Sequence, residues 1–300
     1  MKSDVKLKGV IPAIITPLNK NGEIDKNSLI KQVEYLSGKG VHGFFINGTT
    51  GEGCYLSLEE KLLVFNIVKD VSKGKQFLCV ACICPSTEMV LSEISKLNDF
   101  EPDFIVAVTP FYYKLNQNMI FDHFKIISEN SCSPLILYNI PQCTHNVIEV
   151  DTIVELSRLN NIAGIKDSSG DFLSFLKGMS LITKKDFSWI QGYDYLFEVS
   201  LLSGAVGIVT GIGNIVIEPF LELWDAFERN NLEELKESQS KINNLMKIIE
   251  VIPDKLIGSI KAGVEIMGRS ERWTRISSMA VNFSEFDTIK KNLKKLKIYR

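Results

Sequence analysis

No apolar run in this 300-residue sequence reaches the roughly 20 residues that a helix needs to cross a bilayer, so a membrane-spanning protein is not expected. A basic excess is missing as well. Lys and Arg number 34 against 36 Asp and Glu, and the net charge of −2 argues against a nucleic-acid partner. Histidine is scarce, and His42, His123 and His145 show no metal-ligand spacing. A glycine-rich phosphate turn is absent after the first apolar run, where Thr16-Pro17-Leu18-Asn19 stands instead; this counts against a doubly wound nucleotide-binding sheet. Linkers, low-complexity tracts and short-period repeats are absent too. The start, Met1-Lys2-Ser3-Asp4-Val5-Lys6, is charged and has no signal-peptide core, so a cytoplasmic protein is expected.

Cysteine is present, in six copies, and Cys79-Val80-Ala81-Cys82-Ile83-Cys84 imitates a metal knuckle. That run lies in an apolar strand candidate with no second Cys or His pair near it in sequence. Buried free thiols in a reducing compartment are therefore expected, and no metal.

What is abundant is alternation. Short apolar runs at 10–15, 43–46, 77–81, 104–108, 135–138, 162–166, 187–190 and 205–209 alternate with segments of helical period at 28–39, 57–71, 87–97, 119–129, 150–159, 172–182, 195–203 and 218–229. Ser57-Leu58-Glu59-Glu60 forms a capping box at the start of the second helix. The runs are apolar on both faces, as strands of a covered parallel sheet must be. Eight strand-then-helix units predict an α/β fold, a (β/α)8 TIM barrel over residues 1–230. Three more helical segments, at 231–251, 254–267 and 284–296, predict a C-terminal helical extension, 231–300, packed on the barrel.

In such a barrel, chemistry sits where the strands end. The sixth run delivers a single lysine, Gly164-Ile165-Lys166-Asp167. Burial disfavours an ammonium, and a neutral amine attacks carbonyls; the bland alternative is a lysine that snorkels to solvent. After the second run, Asn47-Gly48-Thr49-Thr50-Gly51-Glu52-Gly53 offers successive backbone N–H groups and two hydroxyls, a neutral cradle for a carboxylate, or else an ordinary glycine turn. Tyr138 ends the fifth run and is a proton shuttle if it faces Lys166 across the barrel mouth; otherwise it is a core tyrosine. Tyr112 and Tyr113 precede a charged stretch and read also as surface or interface aromatics. Gly207 and Gly211 permit close approach of a ligand or of neighbouring backbone. Asp194, in Gln191-Gly192-Tyr193-Asp194, has a helix cap as its simplest role. A lysine, a carboxylate cradle, phenols and no metal ligands together suit imine chemistry on a small 2-oxo acid.

The ordered set Gly48-Thr49-Thr50-Gly51-Glu52, Tyr138-Asn139-Ile140-Pro141 and Gly164-Ile165-Lys166-Asp167 resembles the dihydrodipicolinate synthase / N-acetylneuraminate lyase family of class I pyruvate-type aldolases, over about residues 8–295. The resemblance implies a homotetramer, a dimer of dimers, with no cofactor beyond a Schiff base between Lys166 and pyruvate. It implies that Tyr138 is the acid/base and that Thr49 and Thr50, with Gly48, hold the pyruvate carboxylate. It also implies that Tyr112 relays protons through Thr49 from a neighbouring subunit, and that the Val209 carbonyl faces the pyruvyl group.

Where members making dihydrodipicolinate carry an arginine that binds the carboxylate of aspartate semialdehyde, this sequence has Cys143, in Pro141-Gln142-Cys143-Thr144. A thiol cannot make that bidentate contact. Asp194 matches a sugar-binding residue of the sialic acid lyases, but Tyr195 and Gly211 replace the acidic residue and the serine expected beside it. By elimination, the resemblance points to a lyase that reversibly cleaves a 2-keto-3-deoxy sugar acid, or a similar 4-hydroxy-2-oxo acid, to pyruvate and an aldehyde. The alternatives are dihydrodipicolinate synthase, N-acetylneuraminate lyase and, from a different class, a non-catalytic 2-oxo-acid-binding protein, against which the intact lysine, tyrosine and threonines argue.

Overall fold

Consecutive strand residues point to opposite faces of a sheet, so burial of both Phe44 and Phe45 means that both faces are covered. The same holds along strand after strand in the computed structural model, which describes residues 5–298. The charged residues 1–4 at the start lie outside the described residues. Eight strands form one sheet: β1 (Gly9–Pro12), β2 (Gly43–Ile46), β3 (Phe77–Cys82), β4 (Phe104–Val108), β5 (Leu135–Asn139), β6 (Ile162–Asp167), β7 (Ser188–Gln191) and β8 (Gly207–Thr210). Their order is β1-β8-β7-β6-β5-β4-β3-β2, with parallel pairing from β3 to β8. A parallel bridge between Ala13 and Phe45 joins the chain just beyond β1 to β2. This is the expected (β/α)8 barrel.

Contacts divide the chain into two compact units. The first comprises the residues up to Ile11 and Phe77–Val209. It holds β3 to β7, with α3 (Thr87–Leu97), α4 (Gln117–Asn130), α5 (Pro141–Thr144), α6 (Val150–Ser157), α7 (Phe172–Leu181) and α8 (Phe197–Leu202). The second comprises Pro12–Gln76 and the chain from Thr210 onward. It holds β2, α1 (Lys26–Lys39), α2 (Leu58–Ser72), α9 (Glu218–Glu228), α10 (Leu232–Glu250), α11 (Leu256–Ile266) and α12 (Phe283–Lys295).

Local signals explain most boundaries. Ser57 caps α2 in a capping box with Glu60. Gly40, left-handed at φ 88°, closes α1. Two places differ from expectation. The Pro141-Gln142-Cys143-Thr144 stretch coils into the short α5, with Pro141 in its first turn where the missing N–H costs nothing. The helix expected at 195–203 begins as a 3-10 turn, Asp194–Leu196, ahead of α8.

One buried polar contact ties α3 and α4 to β4. The Nε2 of His123, on α4, lies 3.0 Å from the Val108 carbonyl at the end of β4, and its Nδ1 lies 2.8 Å from the Thr87 hydroxyl. The carbonyl can only accept, so Nε2–H donates and Nδ1 accepts from Thr87. Burial pulls the imidazole down to about 4, against the Val108 carbonyl and the Glu88 carboxylate. A base whose folded value lies below its unfolded value gives stability that is complete above pH 6.5 and lost as pH falls toward 4. The shift corresponds to about 3 kcal/mol. The stability gap between the wild type and His123→Gln should therefore be widest near pH 7 and narrow by up to about 3 kcal/mol toward pH 4, as read by urea unfolding at each pH.

Candidate active site

In the first unit, Lys166 is carried near the end of β6 by the apolar residues that bury the strand, and it is only 5% exposed. Tyr138, at 2%, is its register partner on β5. The two therefore sit side by side on adjacent strands. The Lys166 ammonium lies 3.9 Å from the centre of the Tyr138 ring, within cation–π range.

The next register pair locks this one. Asn139 donates to Asp167 Oδ2 at 3.1 Å, and its own Oδ1 accepts the Ile148 N–H at 3.1 Å. Asp167 Oδ1 accepts the Ser169 N–H at 2.7 Å, while the Asp167 carbonyl accepts the Gly192 N–H at 2.7 Å. Burial pushes the Asp167 carboxyl up, and the Ser169 and Asn139 hydrogen bonds resist. Each polar group on the outer side of this strand pair is thus satisfied within the fold, which fixes the backbone that presents Lys166 and Tyr138.

Gln191 shapes the turn after β7. Its Oε1 accepts the N–H groups of Gly192 and Tyr193, both at 2.9 Å, and its amide donates to Ser200 at 2.7 Å. Gly192 is there for space. A Cβ at this residue would stand 2.1 Å from Ser168 Oγ and 3.0 Å from Lys166 Cε. Cys143, on α5, is exposed; desolvation pushes its thiol up and the charge of Lys166 pulls the other way. Cys79 is buried, and its thiol is raised well above the usual range by burial and Asp103, which makes it an inert core thiol.

The remaining site candidates of this unit are placed differently. Val209 is buried in β8, and Asp194 is buried at the head of its 3-10 turn. Tyr112 is 83% exposed at a left-handed φ of 84°, its ring edge-on to Tyr113. Gly207 makes room for backbone, since a Cβ there would stand 2.2 Å from the Gly9 carbonyl oxygen.

The second unit holds the threonine turn. The Glu52 N–H donates to the Thr49 carbonyl at 3.0 Å, the Gly53 N–H to Gly48 at 3.1 Å, and the Thr16 hydroxyl to Gly51 at 2.7 Å. The turn doubles back so tightly that a Cβ at Gly53 would overlap the Asn47 carbonyl at 1.8 Å. Thr49 and Thr50 are half-buried. Glu52, quoted in the motif but given no role from sequence, is ion-paired with Lys261 of α11, and both are fully buried. Burial lowers the Lys261 ammonium, and the Glu52 carboxylate opposes this. One lysine in an otherwise apolar helical run was the available signal for this pair. Among the described residues, no group of three or more His, Cys, Asp or Glu side chains is placed to hold a metal ion. No helix there is long and apolar enough to cross a membrane.

The sequence matches the profile of the dihydrodipicolinate synthetase family over residues 6–296. It is 35% identical over 248 residues to an uncharacterized DapA-like lyase of Pyrococcus horikoshii, covering 82% of this chain and 85% of that one. It is 33% identical over 273 residues to a 4-hydroxy-tetrahydrodipicolinate synthase of Karelsulcia muelleri, covering 90% and 91%. Among solved structures, a chloride-inhibited dihydrodipicolinate synthase from Acinetobacter baumannii, complexed with pyruvate, superposes with a TM-score of 0.91 at 28% identity, covering 98% of this chain and all of that one.

The crowding at Gly192 makes a direct forecast. Gly192→Ala should displace the stem of Lys166 and slow its reductive trapping by a small carbonyl compound with borohydride, by up to about a hundredfold. Circular dichroism of the variant should remain that of the wild type.

Proposed function

We propose that this chain, which belongs to the dihydrodipicolinate synthetase family of pyruvate-dependent lyases, reversibly cleaves a 2-keto-3-deoxy sugar acid or a similar 4-hydroxy-2-oxo acid to pyruvate and an aldehyde. The observation that carries this is the buried amine of Lys166, 3.9 Å from the ring centre of a buried tyrosine at the end of the neighbouring strand. Lys166 Nζ attacks the C2 ketone, and loss of water leaves an iminium. Tyr138 gives its proton to the hydroxyl that leaves as that water, and the phenolate so formed takes the proton of the C4 hydroxyl as the C3–C4 bond breaks. The electron pair of that bond moves into the iminium, so the aldehyde departs and an enamine remains. The phenol returns its proton to C3, and water then hydrolyses the iminium to pyruvate and free Lys166. Thr49 and Thr50, with Gly48, hold the substrate carboxylate, and Val209 presents its carbonyl to the pyruvyl group. Asp194 takes part in binding the polyol tail.

Tyr112 relays protons through Thr49 from a neighbouring subunit of a homotetramer. Its 83% exposure at a strained φ of 84° supports that reading, since a partner's surface gives an exposed aromatic residue something to meet. All six cysteines are free, which fits a cytoplasmic setting. A second reading, condensation of pyruvate with aspartate semialdehyde, draws support from the similarity to the Karelsulcia synthase. Cys143 weighs against it. This residue sits close enough to Lys166 to feel its charge, yet offers no cation to a second carboxylate.

Pyruvate followed by borohydride should leave one pyruvyl adduct on Lys166, seen by mass spectrometry; no adduct would refute imine chemistry. Tyr138→Phe should keep the adduct and lower kcat by about 10²–10⁴. Cys143→Arg should raise turnover of aspartate semialdehyde relative to uncharged aldehydes in a pyruvate-plus-aldehyde panel. If the wild type already prefers the semialdehyde, the synthase reading replaces the sugar-acid one.

A further inference from the structure

The threonine turn of the second unit is held by a helix more than two hundred residues away in sequence. Glu52 closes that turn in the left-handed region, φ 57°, a conformation that non-glycine side chains resist. Its carboxylate is 1% exposed and is used on both oxygens. Oε1 meets the Lys261 ammonium of α11, and Oε2 accepts the Arg275 N–H at 2.7 Å. Lys261 also donates to the Trp273 carbonyl at 2.7 Å, and the Arg275 guanidinium reaches Glu60 in the first turn of α2 at 2.6 Å. Ile260, the residue before Lys261, and Thr50 both flank Gly211. A Cβ at Gly211 would stand 2.9 Å from Thr50 Oγ1 and 3.4 Å from Ile260 Cδ1. Segment 256–275 thus grips the turn at Glu52.

Neither feature is what stability alone would select. A buried ion pair returns little over a well-packed apolar pair, and a left-handed glutamate costs free energy where glycine would not. Both costs fall on the residue that ends the turn bearing Thr49 and Thr50. Strain concentrated at one residue and over-determined by its surroundings is a mark of a functional geometry.

We propose that Glu52 and Lys261 are positioning residues for the Thr49–Thr50 cradle, so that α11 of the C-terminal extension sets the geometry in which the substrate carboxylate is bound. The assignment rests on the functional reading above, in which those threonines hold the carboxylate of a 2-oxo acid. Neither Glu52 nor Lys261 touches substrate in this scheme. They act through the backbone of the turn, whose Glu52 N–H to Thr49 carbonyl bond links the pair to the cradle.

The test uses the full-length enzyme with pyruvate as the probe. Glu52→Gln and Lys261→Met should each raise KM for pyruvate about tenfold while kcat stays within about threefold, the pattern of lost binding shared by ground and transition states. Lys261→Arg, which keeps the cation, should recover much of the loss. Leu245→Ala, a core truncation in α10, supplies a destabilised control whose KM should not move. KM values within about twofold of the wild type for both pair variants, or equal to that of the control, would reduce the pair to a structural staple. Should the variants fail to fold, hydrogen exchange on the wild type decides. Pyruvate should slow exchange in 256–275 as well as in 47–53, and protection confined to 47–53 overturns the proposal. A wild type that forms no pyruvyl adduct on Lys166 overturns the functional reading itself, whereas an adduct with unmoved KM overturns only the positioning role.

Discussion

The interaction on which the rest depends is the side-by-side burial of an amine and a phenol. Lys166 and Tyr138 are register partners on β6 and β5, and the lysine nitrogen rests over the tyrosine ring. Both side chains are buried in a sheet that is covered on both faces. The Asn139–Asp167 hydrogen bond on the opposite side of the strands and the Gln191-anchored turn hold the backbone around the pair, while Gly192 leaves room for the lysine stem.

In the proposed reading, the chemistry and the choice of substrate are carried by different parts of the chain. The lysine and tyrosine belong to strands, where backbone pairing holds them rigidly. Cys143 belongs to a four-residue helix whose identity can change without disturbing the sheet. An arginine there would serve an aldehyde with a carboxylate, and a thiol would not. The proposed cradle has a third kind of support, since its geometry is held by side chains from a helix that follows the last strand.

Much of the fold was legible locally. Runs apolar on both faces located the strands, with 43–46 and 104–108 matching β2 and β4 to the residue. The capping box at Ser57 placed the start of α2 because its two hydrogen bonds span only three residues. Where expectation and structure part, the missing information was not local. Whether Tyr138 faces Lys166 was left open, because the register of neighbouring strands is a property of the sheet.

The sequence by itself determined the strand–helix alternation, the parallel (β/α)8 class, the inert character expected of the cysteine run, and the identity of the nucleophile candidate, because each rests on periodicity, composition or one strand's polarity. Tertiary structure alone decided that Tyr138 lies beside Lys166, that Gly192 clears space for the lysine stem, and that Glu52 is buried against Lys261, 209 residues further along the chain. Ion pairing and close approach depend on distance in space. A chain that returns to the same place six strands later leaves no record of that distance in its local pattern.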